Sequence, residues 1–379
     1  MTVPDLGAPT PMGRIAALTQ VLRPHQVRAS LVLGKQPSLR ISALAGLQAA
    51  AAGAVALPIF YVSPWPQLIG FAALGAMVAL FGRFSAANRR GRILLWCALC
   101  QSLAVFVMSA VAWTGMALPA QLALLSLGCG VFFFAVVSGG FGPPGALIFT
   151  FAAGAAMAPP DGFHEVLGRT AATGAVAILA WGICAASEAL RRHSPEAPAL
   201  PVDQLRPLGH RLIAALRIVV GAGIAIFASH ALGVAHPVWA AMGTIAVMQG
   251  AYLHINMHRA LQRMVGTVVG AAFAWVFLQF SPSPWAVMAG VVVLQFVAEV
   301  IIGTNYGLGQ IAVTPMALLM VHLASLGAAG PEMAAERVID TLLGAAVGIV
   351  IAIVFSTLDE RHYLALQAAE RQKRRAQRP

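Results

Sequence analysis

The chain has 379 residues, 59% of them hydrophobic and 10% charged, with a formal net charge of +11. A soluble domain carries about 25% charged residues, because its wet exterior needs polar cover at this size, so the composition excludes a soluble globule and makes lipid the expected solvent. The positive balance would suit nucleic acid, but the basic residues are spread over short connections between apolar runs. The lipid bilayer, not nucleic acid, is the expected partner.

Residues 1–41 are mixed and proline-bearing, with no early apolar run before a small-residue cleavage site. No secretory signal is expected, and the segment reads as cytoplasmic. A hydrocarbon core of ~30 Å needs about 20 helical residues. Apolar runs of that order recur at 42–62, 65–82, 93–115, 118–138, 142–159 and 165–187, then at 211–232, 237–254, 262–280, 284–303, 308–328 and 334–357. The fold class is therefore all-α: a polytopic membrane protein of about twelve transmembrane helices. It divides into a first six-helix repeat at 42–190, a linker at 191–210, a second repeat at 211–358 and a basic tail at 359–379. Pro195, Pro198, Pro201 and Pro207 make the linker a stiff, extended connector.

The charges orient the runs. All but two of the 24 Lys and Arg fall in the N-terminal segment, in alternate loops, in the linker or in the tail, and the remaining loops carry acids or nothing. By the positive-inside rule both termini are expected to be cytoplasmic, as in a bacterial inner-membrane protein. The two exceptions, Arg169 and Arg337, sit near the outer end of the sixth helix of each half.

Corresponding features recur at a near-constant offset. Arg92 and Arg263 differ by 171, as do Pro144 and Pro315; Trp65 and Trp239 differ by 174, and Arg169 and Arg337 by 168. Six crossings return the chain to its starting side, so the halves share one orientation, a parallel repeat about the membrane normal. Within the second half, Arg263-x-x-Gly266-Thr267-x-x-Gly270 and Arg337-x-x-Asp340-Thr341-x-x-Gly344 share a spacing on helices that start from opposite sides, as in an inverted three-plus-three repeat. Positions i, i+3, i+4 and i+7 form one helical stripe. The glycines suit close helix packing, and the arginines suit either a surface anchor or a ligand.

Ionisable groups at membrane depth are costly and are functional candidates. Glu299 and Asp340 are two, each a proton carrier or, for Glu299, a side chain that snorkels to the interface. Arg337 could neutralise Asp340, and Glu165 could neutralise Arg169. The connections at 138–145 and 303–310 lack charge, which suits irregular backbone dipping into a cavity or an ordinary tight turn. Pro143, Pro144 and Pro315 would break the adjoining fifth helices and expose a positive dipole end to an anion, with Asn305, Tyr306, Gln310 and Thr314 adding hydrogen bonds. The four cysteines, Cys97, Cys100, Cys129 and Cys184, lie inside apolar runs and read as buried thiols; no pairing with the scattered histidines suggests a metal. No phosphate loop, cofactor motif or nucleophile–base constellation appears, so neither cofactor nor enzymatic activity is expected.

The ordered set His236-Pro237-Val238-Trp239, the run to Gln249, the two arginine motifs, Asn305-Tyr306 and Thr314-Pro315 spans about 110 residues. In these residues the C-terminal half resembles the fusaric acid resistance protein family of bacterial membrane transporters, and the N-terminal half looks like a decayed copy. The resemblance implies export of aromatic and other organic acids driven by the proton gradient, in some members with a periplasmic membrane-fusion protein as partner. Larger relatives carry a cytoplasmic domain between the halves, where this chain has only its linker.

The expected function is a secondary exporter of small organic anions. Arg263, Arg337 and Arg169 would attract the anion, Glu299 or Asp340 would exchange protons, and Asn305, Tyr306, Gln310 and Thr314 would shape the site. A passive anion channel and a structural or envelope-assembly membrane protein stand as alternatives. The oligomeric state stays open.

Overall fold

The computed structural model describes residue 13 and residues 38–192, 207–249 and 253–356. The rest of the N-terminal segment, most of the linker and the basic tail lie outside them. Every regular element among the described residues is helical. A helix is found at each of the twelve apolar runs: α1 Leu39–Val62, α2 Ile69–Ala76, α3 Ala87–Trp113, α4 Leu118–Gly139, α5 Leu147–Ala155 and α6 Phe163–Ala186 in the first half. In the second half they are α7 Leu208–Ala231, α8 Val238–Met248, α9 Leu253–Gln279, α10 Pro284–Ile302, α11 Tyr306–Ala324 and α12 Met333–Val354.

Nine of these described helices are long and apolar enough to cross a membrane. The other three differ from the expectation of twelve full-length spans. At 1.5 Å per residue, the 11-residue α8 reaches about half of a ~30 Å hydrocarbon layer. The 9-residue α5 is shorter still, and α2 is extended only by 3-10 turns at Pro66–Leu68 and Met77–Leu80. These short helices are also the most enclosed. Every residue of α2 is buried, as is every residue of α8 from Val238 to Val247. A helix wrapped in protein need not match the bilayer thickness, because neighbouring helices rather than lipid surround its ends.

The halves meet reciprocally. The first helix of each half packs on the fourth of the other, α1 on α10 and α7 on α4. A glycine lets the backbones close at both seams. A Cβ on Gly46 would lie 3.1 Å from the Phe296 carbonyl oxygen, and one on Gly130 would lie 2.9 Å from that of Ala215. Within each half the sixth helix packs on the second, α6 on α2 and α12 on α8.

One expectation about helix breaks needs correction. Pro315 does not interrupt α11, which runs unbroken from Tyr306 to Ala324. The proline removes the N–H that the Ile311 carbonyl would accept, but α9 lies against that carbonyl, with a Cβ on Gly270 only 2.8 Å from its oxygen. Tight packing holds the helix through the missing bond. The 303–310 connection is a tight turn, because the Asn305 side chain caps α11 by accepting from the Gly307 and Leu308 amides at 2.8 and 3.2 Å. In the first half α5 begins only at Leu147, after the cis Pro143–Pro144 bond. Gly140 ends α4 in the left-handed conformation that glycine adopts without strain.

Candidate functional site

The two arginine stripes of the second half are drawn inward by their glycines. Gly266 presses α9 against α11 so closely that a Cβ there would fall 2.5 Å from the Gly307 carbonyl oxygen. A Cβ on Gly344 of α12 would fall 2.0 Å from the Ala240 carbonyl oxygen of α8, and Thr244 Oγ1 of α8 donates to the Gly344 carbonyl at 2.8 Å. These contacts leave no gap at the glycine ends. Each arginine, on the same face one turn from Gly266 or two turns from Gly344, is carried into the interior: Arg263 is 2% exposed and Arg337 is 1% exposed.

Arg263 Nη1 donates to the Tyr306 hydroxyl at 3.1 Å and, at a long 3.5 Å, to Gln310 Oε1. Its Nε and Nη2 have no protein partner among the described residues. The Arg337 guanidinium lies 5.1 Å over the Trp239 ring and reaches the Met242 thioether at 4.0 Å, and its Nε has no protein partner among the described residues. Trp239 stacks in turn on His236, with centroids 4.3 Å apart and planes 11° from parallel. His236 Nδ1 lies 2.9 Å from Glu336 Oε2 at the half-exposed mouth of this stack. The two guanidinium groups are close enough to feel each other's charge.

Asp340 faces the same interior. Its Oδ1 accepts a hydrogen bond from Ser229 of α7 at 2.5 Å, while Oδ2 has no protein partner among the described residues. The buried hydroxyls of Thr267, Thr314 and Thr341 also lack one there. Neither Arg263 nor Arg337 belongs to an ion pair among the described residues. Each buried polar atom without a partner costs about 1–3 kcal/mol, and an unpaired buried guanidinium costs more. Planar guanidinium groups match carboxylates and other oxyanions bidentately, so the cluster is chemically equipped to hold one small anion.

The remaining candidate residues lie elsewhere. Arg169 is also buried and overlies an aromatic ring, Phe71, at 5.3 Å, but Glu165 accepts from its Nη2 and Nε at 2.8 and 3.1 Å, and Ala158 from Nη1 at 2.7 Å. It has an ion-pair partner, which Arg337 lacks among the described residues. Glu299 does not join the second-half cluster. It forms a buried ion pair with Arg83, across the seam between the halves. Asn305 serves α11 as its cap, and Pro144 lies in the connection ahead of α5.

Several participants were not singled out from the sequence. Arg83 reads there as one of several loop charges. The buried arginine of α3 is Arg90, not the exposed Arg92; it donates to Gln48 Oε1 at 2.7 Å and lies 3.6 Å from Glu188. Likewise Phe71 rather than the exposed Trp65 stands under the first-half arginine as Trp239 stands under Arg337. The 168-residue offset of the two arginines holds for Phe71 and Trp239 as well, and that was the available signal.

The nine long apolar helices define a multi-pass integral membrane protein. Its second half can be described further: residues 224–351 match the model of a family described as fusaric acid resistance protein-like. That stretch runs from within α7 to near the end of α12 and contains the whole arginine cluster. An uncharacterized membrane protein of Bacillus subtilis (strain 168), YvaC, is 32% identical over 131 residues, a match covering 34% of this chain. It takes in only 21% of that protein's length. No solved structure matches the chain.

Proposed function

We propose that the protein is a secondary transporter of a bacterial inner membrane that exports small organic anions, aromatic acids among them, by proton-coupled transport. The observation that carries this reading is the pair Arg263 and Arg337, buried within one interior and free of ion pairs among the described residues. Such charge is costly in a lipid-solvated protein and by default marks a candidate functional site. The fusaric acid resistance protein-like match over the same residues supports the choice of organic acids. The reciprocal packing of first and fourth helices supports a twelve-segment arrangement of two six-helix repeats, and the segregation of Lys and Arg supports cytoplasmic termini.

Purified protein in sealed vesicles tests the proposal. Wild type should move radiolabelled benzoate saturably above protein-free vesicles, and Arg263→Gln should lose at least about tenfold of that flux, equivalent to about 1.4 kcal/mol. Equal fluxes in the two would remove the arginine cluster from the pathway. A passive anion channel is favoured by one further observation: Arg259 stands 5.7 Å over the ring of Tyr306, whose hydroxyl accepts from Arg263, so cationic side chains succeed one another along α9. Sustained single-channel currents in planar bilayers would select that reading over a carrier.

A further inference from the structure

Asp340 is the acid placed to compete with a bound anion, and its contacts determine how. It lies on the same face of α12 as Arg337, one turn further on. Ser229 of α7 holds one carboxyl oxygen, and the other has no protein partner among the described residues. No ion pair joins it to Arg337 among the described residues, yet each feels the other's charge. The charged and titratable groups around it are few. Glu336 and Arg337 flank it on α12, His236 faces it from just before α8 and pairs with Glu336, and Arg263 of α9 and Tyr306 of α11 reach it through Arg337. Glu299, the other intramembrane acid, is held by Arg83 at the seam and is not part of this interior.

Resting on the anion-site reading above, we infer that Asp340 links proton and anion positively, so that the two bind and move together. The reason is charge counting. With Asp340 ionised, two guanidinium groups and one carboxylate leave a single positive charge. With Asp340 protonated and the site empty, two positive charges are buried together, which is costly in a low dielectric. An arriving anion removes that cost, and a proton taken up from water onto Asp340 removes the carboxylate that repels the anion. Linkage makes the effect reciprocal: the proton strengthens anion binding by the same factor as the anion strengthens proton binding. The translocated unit is then one anion with one proton, which carries no net charge across the membrane. Simple exchange of an outgoing anion for an incoming proton would require that each ligand weaken the other, so export through this site runs down the anion's own outward gradient and carries the proton out with it.

Benzenesulfonate tests the inference, since it stays ionised throughout the range and any pH dependence must come from the protein. Binding to detergent-purified full-length protein is measured by calorimetry in buffers of different ionisation enthalpy, which counts protons taken up. Wild type should take up close to one proton per anion where Asp340 titrates, and should bind at least about tenfold more tightly at ~pH 5 than at ~pH 8. Asp340→Asn, which mimics the protonated acid, should bind at the higher pH as tightly as wild type does at the lower, and take up no proton. Proton uptake that survives in Asp340→Asn but vanishes in Glu336→Gln would overturn the assignment, as would pH-independent binding by wild type that Arg263→Gln still abolishes. Absence of saturable binding, or binding untouched by Arg263→Gln, would instead overturn the anion-site reading itself.

Discussion

Gly344 lies with its Cα against the Ala240 backbone, where an added Cβ would come 2.0 Å from a carbonyl oxygen. Backbone cannot step aside as a side-chain tip can. Gly344→Ala must therefore push α12 off α8, break the bond from Thr244 to the Gly344 carbonyl, and shift Arg337 two turns away. Overpacking of this kind costs about 1–3 kcal/mol. The expected result is a lower melting temperature in detergent. The control is Gly182→Ala in α6, where an added Cβ meets nothing within 4 Å; it should leave the melting temperature unchanged or raise it. Equal melting temperatures for wild type and Gly344→Ala would show that the helix contact is looser than described.

The ion pair of Arg83 and Glu299 spans 216 residues of sequence and the seam between the halves. Taking away one member of a buried pair costs about 3–5 kcal/mol, whereas replacing both by apolar residues is often neutral. Glu299→Gln and Arg83→Met should each destabilise the protein strongly, and the double replacement Arg83→Met with Glu299→Met should recover much of the loss. A double-mutant cycle in thermal unfolding checks this. Additive effects would mean that the two side chains act independently.

The apolar runs were legible because lipid imposes a length and a composition on what it surrounds, and all twelve appear as helices. Three are too short to span alone, and hydropathy could not reveal it: Val238–Val247 is as apolar as a span, but its surroundings are protein. The stripes of α9 and α12 were legible from the spacing of their glycines, since a face that closes on backbone admits only small residues. The partners of the charges were not. Arg83 and Arg90 sit at the ends of apolar runs, as any cytoplasmic anchor would, and only the tertiary packing of distant helices turns them inward to Glu299 and Gln48. Pro315 reads as a break because the local rule is correct for an isolated helix; contact with Gly270 overrides it.

The first-half arginine should be dispensable for flux. Each of the three guanidinium nitrogens of Arg169 already donates to Glu165 or to the Ala158 carbonyl, so none is left without a partner as Arg263 Nε and Nη2 are among the described residues. Arg169→Gln should leave benzoate flux within about twofold of wild type after correction for folded protein. A loss as large as that in Arg263→Gln would assign both halves to the pathway and end the asymmetry between them.

Chemical access to the cluster supplies the last prediction. Thr267 is buried one turn beyond Arg263 on the same face, with its hydroxyl unpartnered among the described residues. A cysteine placed there stands one turn from Arg263, in the field of two guanidinium groups that outnumber the Asp340 carboxylate, which raises the local concentration of anions and lowers that of cations. Thr267→Cys should therefore react faster with a thiosulfonate reagent carrying a sulfonate than with one carrying a trimethylammonium group, and benzenesulfonate should slow the reaction. Cys97, Cys129 and Cys184 are buried and Cys100 only half so; a Cys100→Ala background removes that contribution. Compact Thr and Cys differ little in volume, so the substitution reports the field of the site rather than a rebuilt core. Equal rates for the two reagents would mean that the arginine charges are compensated by something other than a mobile anion, and the cluster would then be structural.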